Sequence, residues 1–475
     1  MSRLINAFAW DLSGKLATQI FRFSVSIVLA RLLLPEDFGL IGMTMVFIVF
    51  AQSLAEAGMG SAIVQADDIQ EKACESILLL NVSIGCVLAI VLYFVAPLLS
   101  DFYNDDRVNN IAKALSVVFL LDSLGNVQYY LNQKRMNLKA ISIANVMASV
   151  SSGVVALILA FLGYSYWSLV IQTILYSSVR SAGLWIGSAW RPRMQFSVES
   201  IGPLFNYGWK LFVSDIINRL YERVDYIIIG RLFSPATLGL YFRAITFNQY
   251  IIQYASSSII AVLFPAFSEI KNDRIKVERL YRLSLSVVAF VAFGLSGLVY
   301  SSAESLVVVL FSEKWLPSVP YLRLIMLFSY AYPVSVIMVN MIAAMGNSKM
   351  FLQLEILKKG MLTIAIPIGF YFGIAGYLWT MVAVSFISVM VNISYVAKQV
   401  VTGMTWQIVM LAKYAIVSVA ISGAITWLSS VLALSHLSTV VSNSLLFAAG
   451  YYYMCKVFRM TGPSIFIENF SRIRK

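Results

Sequence analysis

Three polar side chains recur at helical spacing in an otherwise apolar stretch near the start of the chain. Lys15, Gln19 and Arg22 are separated by four and then three residues, so they share one face of a helix. The same spacing recurs at an offset of 200 residues, in Asp215, Arg219 and Glu222. Charged side chains of this kind within apolar helices can bind a substrate or pair with one another.

Further charges follow the later triplet. Arg223 and Asp225 lie beside Glu222 in the segment YERVDY, which is too polar to face lipid. A charge near the centre of a bilayer is costly, so it usually faces water, a partner or a substrate. We therefore predict that the two helices line one water-filled cavity. The predicted substrate-binding residues are Lys15, Arg22, Arg219 and Arg223. The alternative is that the charges pair with each other and lock the helices together.

Acidic residues are the candidates for ion coupling and gating. Lys15 and Asp215 match each other at the offset of 200, and we predict that they pair when the cavity is closed to the cytoplasm. The other candidates are Glu222, Asp225, Asp122 and Glu56. Asp122 is placed deepest among the isolated acids. A lone carboxylate there can carry a coupling proton or simply bond a neighbouring helix, and the sequence leaves both open.

An internal repeat has the same offset. Residues 27–47 and 227–247 are identical at seven of 21 aligned positions. The shared residues are Ile27/Ile227, Arg31/Arg231, Leu32/Leu232, Pro35/Pro235, Gly39/Gly239, Leu40/Leu240 and Phe47/Phe247. Both stretches lie where one apolar helix ends and another begins. Two homologous halves are a common plan for transporters, since alternating access needs two bundles that move about a central site.

Composition places the chain in a membrane. Of its 475 residues, 60% are hydrophobic and 12% are charged, and the mean hydropathy is +0.81. Soluble domains carry about 25% charged residues. A spanning helix needs about 20 mostly apolar residues. Fourteen spans are predicted on that basis, at 13–34, 38–57, 76–98, 111–131, 141–162, 165–187, 203–232, 237–263, 284–303, 320–345, 351–372, 374–397, 409–432 and 437–457. Short glycine turns join several of them, at Gly163 and at Gly373 to Gly376.

Lysine and arginine set the predicted orientation. The segments between the spans alternate between the two sides of the membrane. Those on one side, with both termini, hold 19 lysines and arginines, and those on the other side hold 6. This bias predicts that the first side is cytoplasmic. The net charge of +12 then reflects topology and does not indicate a nucleic-acid partner. The basic stretch 271–282 could contact anionic lipid, although a solvated loop is the simpler interpretation.

These patterns predict an all-α, polytopic membrane protein with two pseudo-symmetric six-helix lobes. The two repeats begin at the first and the seventh predicted helix, and both helices cross the membrane in the same direction. The two halves are therefore related by an axis along the membrane normal. The predicted divisions are residues 1–200 for the first lobe, 201–400 for the second, and 401–475 for two additional helices and a basic tail.

Motifs for covalent or ATP-driven chemistry are absent from the sequence. There is no Walker A loop, GxGxxG fingerprint or HExxH motif. The three cysteines, Cys74, Cys86 and Cys455, have no metal-site spacing, and His436 is the single histidine. We therefore expect neither a metal nor an enzyme active site, and no cofactor other than an H⁺ or Na⁺ gradient.

Four segments carry a family resemblance. LARLLLPEDFGLIGM at 29–43 and AEAGMGSAIVQ at 55–65 are similar to the start of bacterial polysaccharide exporters of the Wzx type. RVDYIIIGRLFSPATLGLYFRA at 223–244 and FPAFSEI at 264–270 resemble the central segment of the same family. The strongest likeness is to its colanic-acid and teichuronic-acid branch. That family belongs to the multidrug/oligosaccharidyl-lipid/polysaccharide exporter superfamily, with the lipid II flippases and the MATE drug pumps.

The resemblance implies a flippase for undecaprenyl-diphosphate-linked oligosaccharide in the bacterial inner membrane. It implies a cationic cavity between two six-helix lobes, lined by the first and seventh helices. It also implies a role in lipopolysaccharide or exopolysaccharide synthesis, in contact with membrane lipids and with a polysaccharide polymerase and chain-length regulator. The family offers no invariant residue set to transfer, so the site residues rest on depth and helix face.

Two alternatives remain. A multidrug cation/proton antiporter would share the fold, but a cavity for cationic drugs would favour acids over Lys15, Arg22, Arg219 and Arg223. A membrane polysaccharide polymerase or glycosyltransferase is expected to have a larger outer loop or a soluble region, and this sequence shows neither.

Overall fold

The computed structural model describes the chain except residues 1, 57–59, 61–62, 65–70, 194–196, 198–217, 254, 256–257, 400–402, 433 and 465–475. The side chains of residues 2–9, 50–56 and 258–262 also lie outside the description. The described residues form helices and turns, without a β-strand.

The helices of the first half are α1 (Ser2–Leu32), α2 (Pro35–Glu56), α3 (Glu71–Tyr103), α4 (Asp106–Leu115), α5 (Val117–Lys134), α6 (Leu138–Phe161), α7 (Trp167–Gly187) and α8, of which residues 218–232 are described. Those of the second half are α9 (Pro235–Ile252), α10 (Ser258–Glu269), α11 (Arg274–Phe311), α12 (Val319–Phe328), α13 (Ala331–Ala344), α14 (Ser348–Tyr371), α15 (Gly373–Val396), α16 (Met404–Leu432) and α17 (His436–Val457). A 3₁₀ turn, Glu313–Ser318, precedes α12.

The predicted spans and the observed helices occupy the same stretches, apart from residues in the undescribed ranges. The glycine turns are confirmed, since Gly163 has φ +84° and Gly373 has φ +77°, a region that other residues rarely adopt. Two predicted spans are interrupted, at Ser116 and at Ser329. The hydroxyl of Ser116 donates to the Lys113 carbonyl at 2.7 Å, and such bonds compete with the helix ladder and often bend a helix.

Long apolar helices with exposed apolar faces identify a multi-pass membrane protein. Within the described residues, seven helical stretches contain an 18-residue apolar window with at most two charged residues. Large apolar side chains are exposed along them, including Phe94, Phe161, Trp379 and Trp427. Exposed apolar belts of this kind are covered by lipid in a bilayer.

The chain divides into two compact units, residues 1–239 and 240–475. In the first unit α1 packs along α6, and α6 along α7. The α1–α6 contact is close because α6 carries a glycine there: a Cβ at Gly153 would lie 2.7 Å from Phe21 Cε1 and 2.9 Å from Val25 Cγ2. Small residues let membrane helices approach closely, and this contact fixes the face of α1 that carries Arg22.

The two copies of the repeated motif contact each other inside the first unit. A Cβ added at Gly39 would overlap the carbonyl oxygen of Pro235, and a Cβ added at Gly239 would overlap that of Pro35. The backbone nitrogen of each glycine is 3.1 Å from the Cβ position of the other. A reciprocal contact of this kind is what a local twofold axis between the two glycines produces.

In the second unit α16 and α17 are fastened to α11. Four side chains donate to backbone carbonyls along α11 at 2.8 to 3.2 Å: Ser418 to Phe293, Ser422 to Gly297, Asn443 to Ser301 and Tyr451 to Phe290. Polar side chains that hydrogen-bond across helices hold membrane bundles together, so the two C-terminal helices are an integral part of this unit.

Candidate functional site

Arg22 lines a cavity of about 330 Å³ within the first unit. Four helices line it: α1, α2, α6 and α7. Its polar lining residues are Arg22, Ser26, Ser149, Ser152, Gln172, Thr173 and Tyr176. Apolar side chains such as Leu29 and Phe38 complete the walls. The cavity therefore combines one permanent charge with several hydroxyl and amide groups in a largely apolar shell.

The guanidinium of Arg22 is held by two neutral groups. Its Nε donates to Ser149 Oγ at 3.3 Å, and its Cζ lies 4.3 Å from the ring centroid of Tyr176. Stacking on an aromatic face orients a guanidinium without neutralising it. Across the described ranges, no carboxylate lies within 4.0 Å of Arg22. The alternative in which Arg22 is locked by an acidic partner therefore finds no such partner among the described residues.

The depth of Arg22 makes its positive charge unusual. It precedes Arg31, near the end of α1, by nine residues, a rise of about 13 Å, which places it near mid-span. A cation at that depth usually faces water, a partner or a substrate. Arginine with an open hydrogen-bonding edge is suited to a phosphate or diphosphate group.

A second arginine of the same unit reaches the next turn of α6. Arg180 Nε donates to Asn145 Oδ1 at 3.2 Å, and its Cζ is 5.3 Å from the Tyr129 ring. Asn145 and Ser149 are one turn apart on α6, so Arg180 and Arg22 contact successive turns of one helix face. Arg180 is absent from the sequence-based site residues. The sequence feature that could have indicated Arg180 is a four-residue spacing on each of two helices, between Asn145 and Ser149 and between Tyr176 and Arg180.

Lys15 lies seven residues before Arg22 and is largely exposed. Its Nζ is 2.6 Å from Asp11 Oδ2, a pair within α1. Its predicted partner, Asp215, lies outside the described residues. The gate that we predict between Lys15 and Asp215 thus stays a prediction.

The charged residues of α8 differ in burial. Arg219 is half-buried, Glu222 is exposed and Asp225 is buried. Arg223 lies over the ring of the buried Tyr226, with its Cζ 5.1 Å from the centroid. Their roles in substrate binding and ion coupling stay predictions.

The two remaining acidic candidates lie on other helices. Asp122 is half-buried on α5, and Glu56 is the last residue of α2, with its side chain outside the description. No group of three metal-binding side chains occurs in the part of the chain that the structure describes. His436 starts α17, where its Nδ1 is 3.3 Å from Ser305 Oγ.

An ion-pair cluster lies between α3 and α4, at an end predicted to be extracytoplasmic. Arg107 Nη2 lies 2.7 Å from Asp105 Oδ2 and 2.5 Å from Glu36 Oε1. Asp105 also caps α4 by accepting from the Arg107 backbone N–H. The hydrogen bonds from Arg107 hold the pKa of Asp105 below its ordinary value.

Comparison with known proteins decides the family. The profile of a family described as "Polysaccharide biosynthesis protein" matches residues 28–320. The chain belongs to this family. The match includes α6, α7 and both copies of the motif around Gly39 and Gly239, and it begins six residues after Arg22.

Members with curated names are similar to this chain. It is 27% identical over 318 residues to the succinoglycan biosynthesis transport protein ExoT of Rhizobium meliloti, covering 67% of this chain and 64% of that protein. It is 28% identical over 307 residues to the lipopolysaccharide biosynthesis protein WzxC of Escherichia coli, covering 63% and 61%. It is 26% identical over 279 residues to the teichuronic acid biosynthesis protein TuaB of Bacillus subtilis, covering 58% of each. The chain thus matches about three fifths of the length of these relatives.

Solved structures show the same fold. The inward closed conformation of the lipid II flippase MurJ superposes with a TM-score of 0.71 at 15% identity, covering 94% of this chain and 98% of that one. An inward-facing MATE family multidrug transporter superposes with a TM-score of 0.62 at 15% identity, covering 84% and 95%. The chain therefore has the fold of these membrane transporters, as the resemblance implied.

Proposed function

We propose that this protein is a flippase that moves undecaprenyl-diphosphate-linked oligosaccharide from the cytoplasmic to the outer leaflet of the bacterial inner membrane. The proposal is supported by the family and by relatives named for transport or synthesis of three surface polysaccharides. The fold shared with a lipid II flippase supports it further.

The observation that carries the proposal is the pocket of Arg22. A diphosphate concentrates negative charge on a few oxygens, and Arg22 offers a mid-span guanidinium whose described partners, Ser149 and Tyr176, are both neutral. Ser152 and Gln172 line the same cavity and can donate to further phosphate oxygens. A diphosphate arriving there replaces lost hydration with charge-assisted hydrogen bonds.

The energy for transport is proposed to come from an H⁺ or Na⁺ gradient, through ion-coupled alternating access. The acids proposed to bind the ion or to gate the path are Asp215, Glu222, Asp225, Asp122 and Glu56. A carboxylate inside a membrane protein changes its charge when a proton binds, and this change biases one conformation over another.

Both termini are proposed to lie in the cytoplasm. A reporter fused at Lys475 is then active in the cytoplasm, and a tag beside Asp105 is accessible from outside. A cytoplasmic signal from the Asp105 tag contradicts this orientation. Polysaccharide polymerase and chain-length regulator proteins are the proposed partners on the outer side.

A drug antiporter of the same fold is the main competing function. The pocket disfavours it, because the charge of Arg22 repels a cationic drug.

The experiment is loss of the gene followed by analysis of lipid-linked intermediates in spheroplasts. We expect one undecaprenyl-diphosphate-linked oligosaccharide to accumulate on the cytoplasmic side, and plasmid-borne wild-type protein to clear it. Complementation with Arg31→Ala serves as the control, since Arg31 is on the same helix outside the pocket. Loss of the gene without any accumulated intermediate overturns the proposal.

A further inference from the structure

A second cationic cavity lies in the second unit, at one end of its helices. It has a volume of about 480 Å³ and is lined by the first turns of α11 and α16 and by the chain just after α17. Four cations line it: Arg279, Arg282, Lys413 and Arg459. Lys413 belongs to the predicted span 409–432, and the structure places it in a cavity with three arginines.

The four cations are only partly neutralised. Arg282 Nη2 is 2.7 Å from Glu278 Oε1, and its Cζ lies 4.9 Å from the Trp406 ring. Within the described ranges, no carboxylate comes within 4.0 Å of Arg279, Lys413 or Arg459. The cavity therefore keeps an excess of positive charge.

The backbone at Arg459 is unusual for an arginine. The chain leaves α17 with Met460 N donating to Cys455 O at 2.9 Å, and Arg459 has φ +52°. Glycine is the usual residue at such a left-handed helix end, because a side chain there is strained. Here an arginine occupies the position and lines the cavity. An unfavourable backbone conformation that carries a functional side chain is a recurrent feature of binding sites.

The floor of the cavity is fixed by tight packing. Gly462 N donates to the Tyr414 hydroxyl at 3.1 Å. A Cβ at Gly462 would lie 2.6 Å from the Ser286 carbonyl oxygen and from the Tyr414 hydroxyl. The segment after α17 is thus fastened to α11 and α16, and this segment includes Arg459, which lines the cavity together with Lys413.

The mouth of the cavity is apolar. Leu283, Val409 and Phe458 line it and are exposed. Trp406, on the first turn of α16, is the residue type enriched at membrane–water interfaces. A ligand that suits both surfaces has a negative headgroup and hydrocarbon chains.

We propose that this cavity binds an anionic phospholipid, with its headgroup phosphate between Arg279, Lys413 and Arg459. The acyl chains lie along Leu283, Val409 and Phe458. Basic pockets between membrane helices at the cytoplasmic side bind anionic headgroups, and this end carries the loops predicted to be cytoplasmic. Free phosphate makes no use of the apolar mouth, so a lipid is the better match. The bound lipid joins α11, α16 and the end of α17.

The test is a binding titration of the purified full-length protein by native mass spectrometry. We expect phosphatidylglycerol to bind more tightly than phosphatidylcholine, and rising salt to weaken only the former. Arg279→Ala and Arg459→Gly are each expected to lower the phosphatidylglycerol affinity about fivefold. Arg459→Gly suits the left-handed backbone, so the unfolding temperature in lipid-free detergent should not fall. Arg274→Ala, on the same helix end but outside the cavity, is expected to leave the affinity unchanged.

Several results overturn the proposal. Equal affinity for the two phospholipids removes the role of the headgroup charge, and an equal effect of Arg274→Ala shows diffuse attraction without a site. Displacement of phosphatidylglycerol by inorganic phosphate would assign the cavity to a free anion. Preferential binding of undecaprenyl phosphate would assign it to the lipid carrier.

Discussion

The two cationic pockets of this protein differ in the depth and number of their charges. Arg22 is alone near the middle of α1, where a hydroxyl and an aromatic ring hold it. The second pocket gathers four cations at the ends of α11, α16 and α17 beside exposed apolar side chains. Charge is costly at mid-span, so a single arginine there needs a functional reason. At helix ends water and headgroups solvate cations, so a cluster is tolerated. This difference in depth agrees with the two proposed roles, transport for the deep pocket and lipid binding for the shallow one.

The largest expected effect is on polysaccharide export, which should depend on the pocket of Arg22 and not on the pocket of Arg279. Arg22→Ala removes charge-assisted hydrogen bonds worth about 1.5–3 kcal/mol, so surface polysaccharide should fall by at least about tenfold at equal protein abundance. Arg22→Lys should restore part of it if point charge suffices, and little if two parallel hydrogen bonds are needed. Arg279→Ala, assayed in the same strain, should export normally. Equal losses from Arg22→Ala and Arg279→Ala would erase the distinction between the pockets.

The repeated glycines should affect the first unit strongly. Gly39→Ala or Gly239→Ala places a Cβ against the carbonyl of Pro235 or Pro35, and overpacking of this kind costs about 1–3 kcal/mol. We expect a lower unfolding temperature and reduced export, while phosphatidylglycerol binding persists. Gly423→Ala is the control, because a Cβ there meets no described atom within 4 Å. Unchanged stability of both glycine variants would show that the close crossing is not formed.

Arg180 should contribute less than Arg22 to the same process. Arg180→Ala frees Asn145 on α6 and removes one cation from the first unit, so we expect export to fall about tenfold or less, equivalent to about 1.4 kcal/mol. Asn145→Ala should have a similar but smaller effect, since it leaves the arginine in place. Polysaccharide yield against protein abundance measures both. Wild-type export by Arg180→Ala would confine the site to Arg22.

The smallest expected effect is a pH dependence that lies outside both pockets. Arg107 lowers the pKa of Asp105 in the folded state, so this pair stabilises the fold above the ordinary aspartate pKa of about 3.9. The contribution is lost as the pH falls through the lowered pKa. Asp105→Asn should therefore reduce the acid sensitivity of the unfolding temperature, measured from neutral pH downward. An unaltered pH profile would show that the pair contributes nothing.

Helix positions could be read from the sequence because the spans are predominantly apolar runs separated by short turns or polar loops. The breaks in the helices at Ser116 and Ser329 could not be read from the sequence. Each serine hydroxyl bonds to a backbone carbonyl within its own apolar segment, and such a bond does not alter the hydropathy of the segment. The depth and face of Arg22 also followed from spacing. Its partners did not, because Ser149 lies 127 residues away and reaches Arg22 only through the packing of α1 on α6.

The basic pocket shows the same limit. Arg279 and Arg282 were visible as loop charges, and Lys413 and Arg459 are far from them in sequence. These four side chains line one cavity because α16 and α17 pack against α11 and hydrogen-bond to it. Patterns along one helix are local, whereas both pockets are made by contacts between helices.

The central claim is that Arg22 binds the diphosphate of a lipid-linked oligosaccharide during transport. The direct measurement is translocation of a fluorescent undecaprenyl-diphosphate-linked oligosaccharide in proteoliposomes under an imposed ion gradient. Wild-type protein and Arg279→Ala should move the lipid at similar rates, whereas Arg22→Ala should show only the protein-free background. Translocation by Arg22→Ala at the wild-type rate would contradict the account.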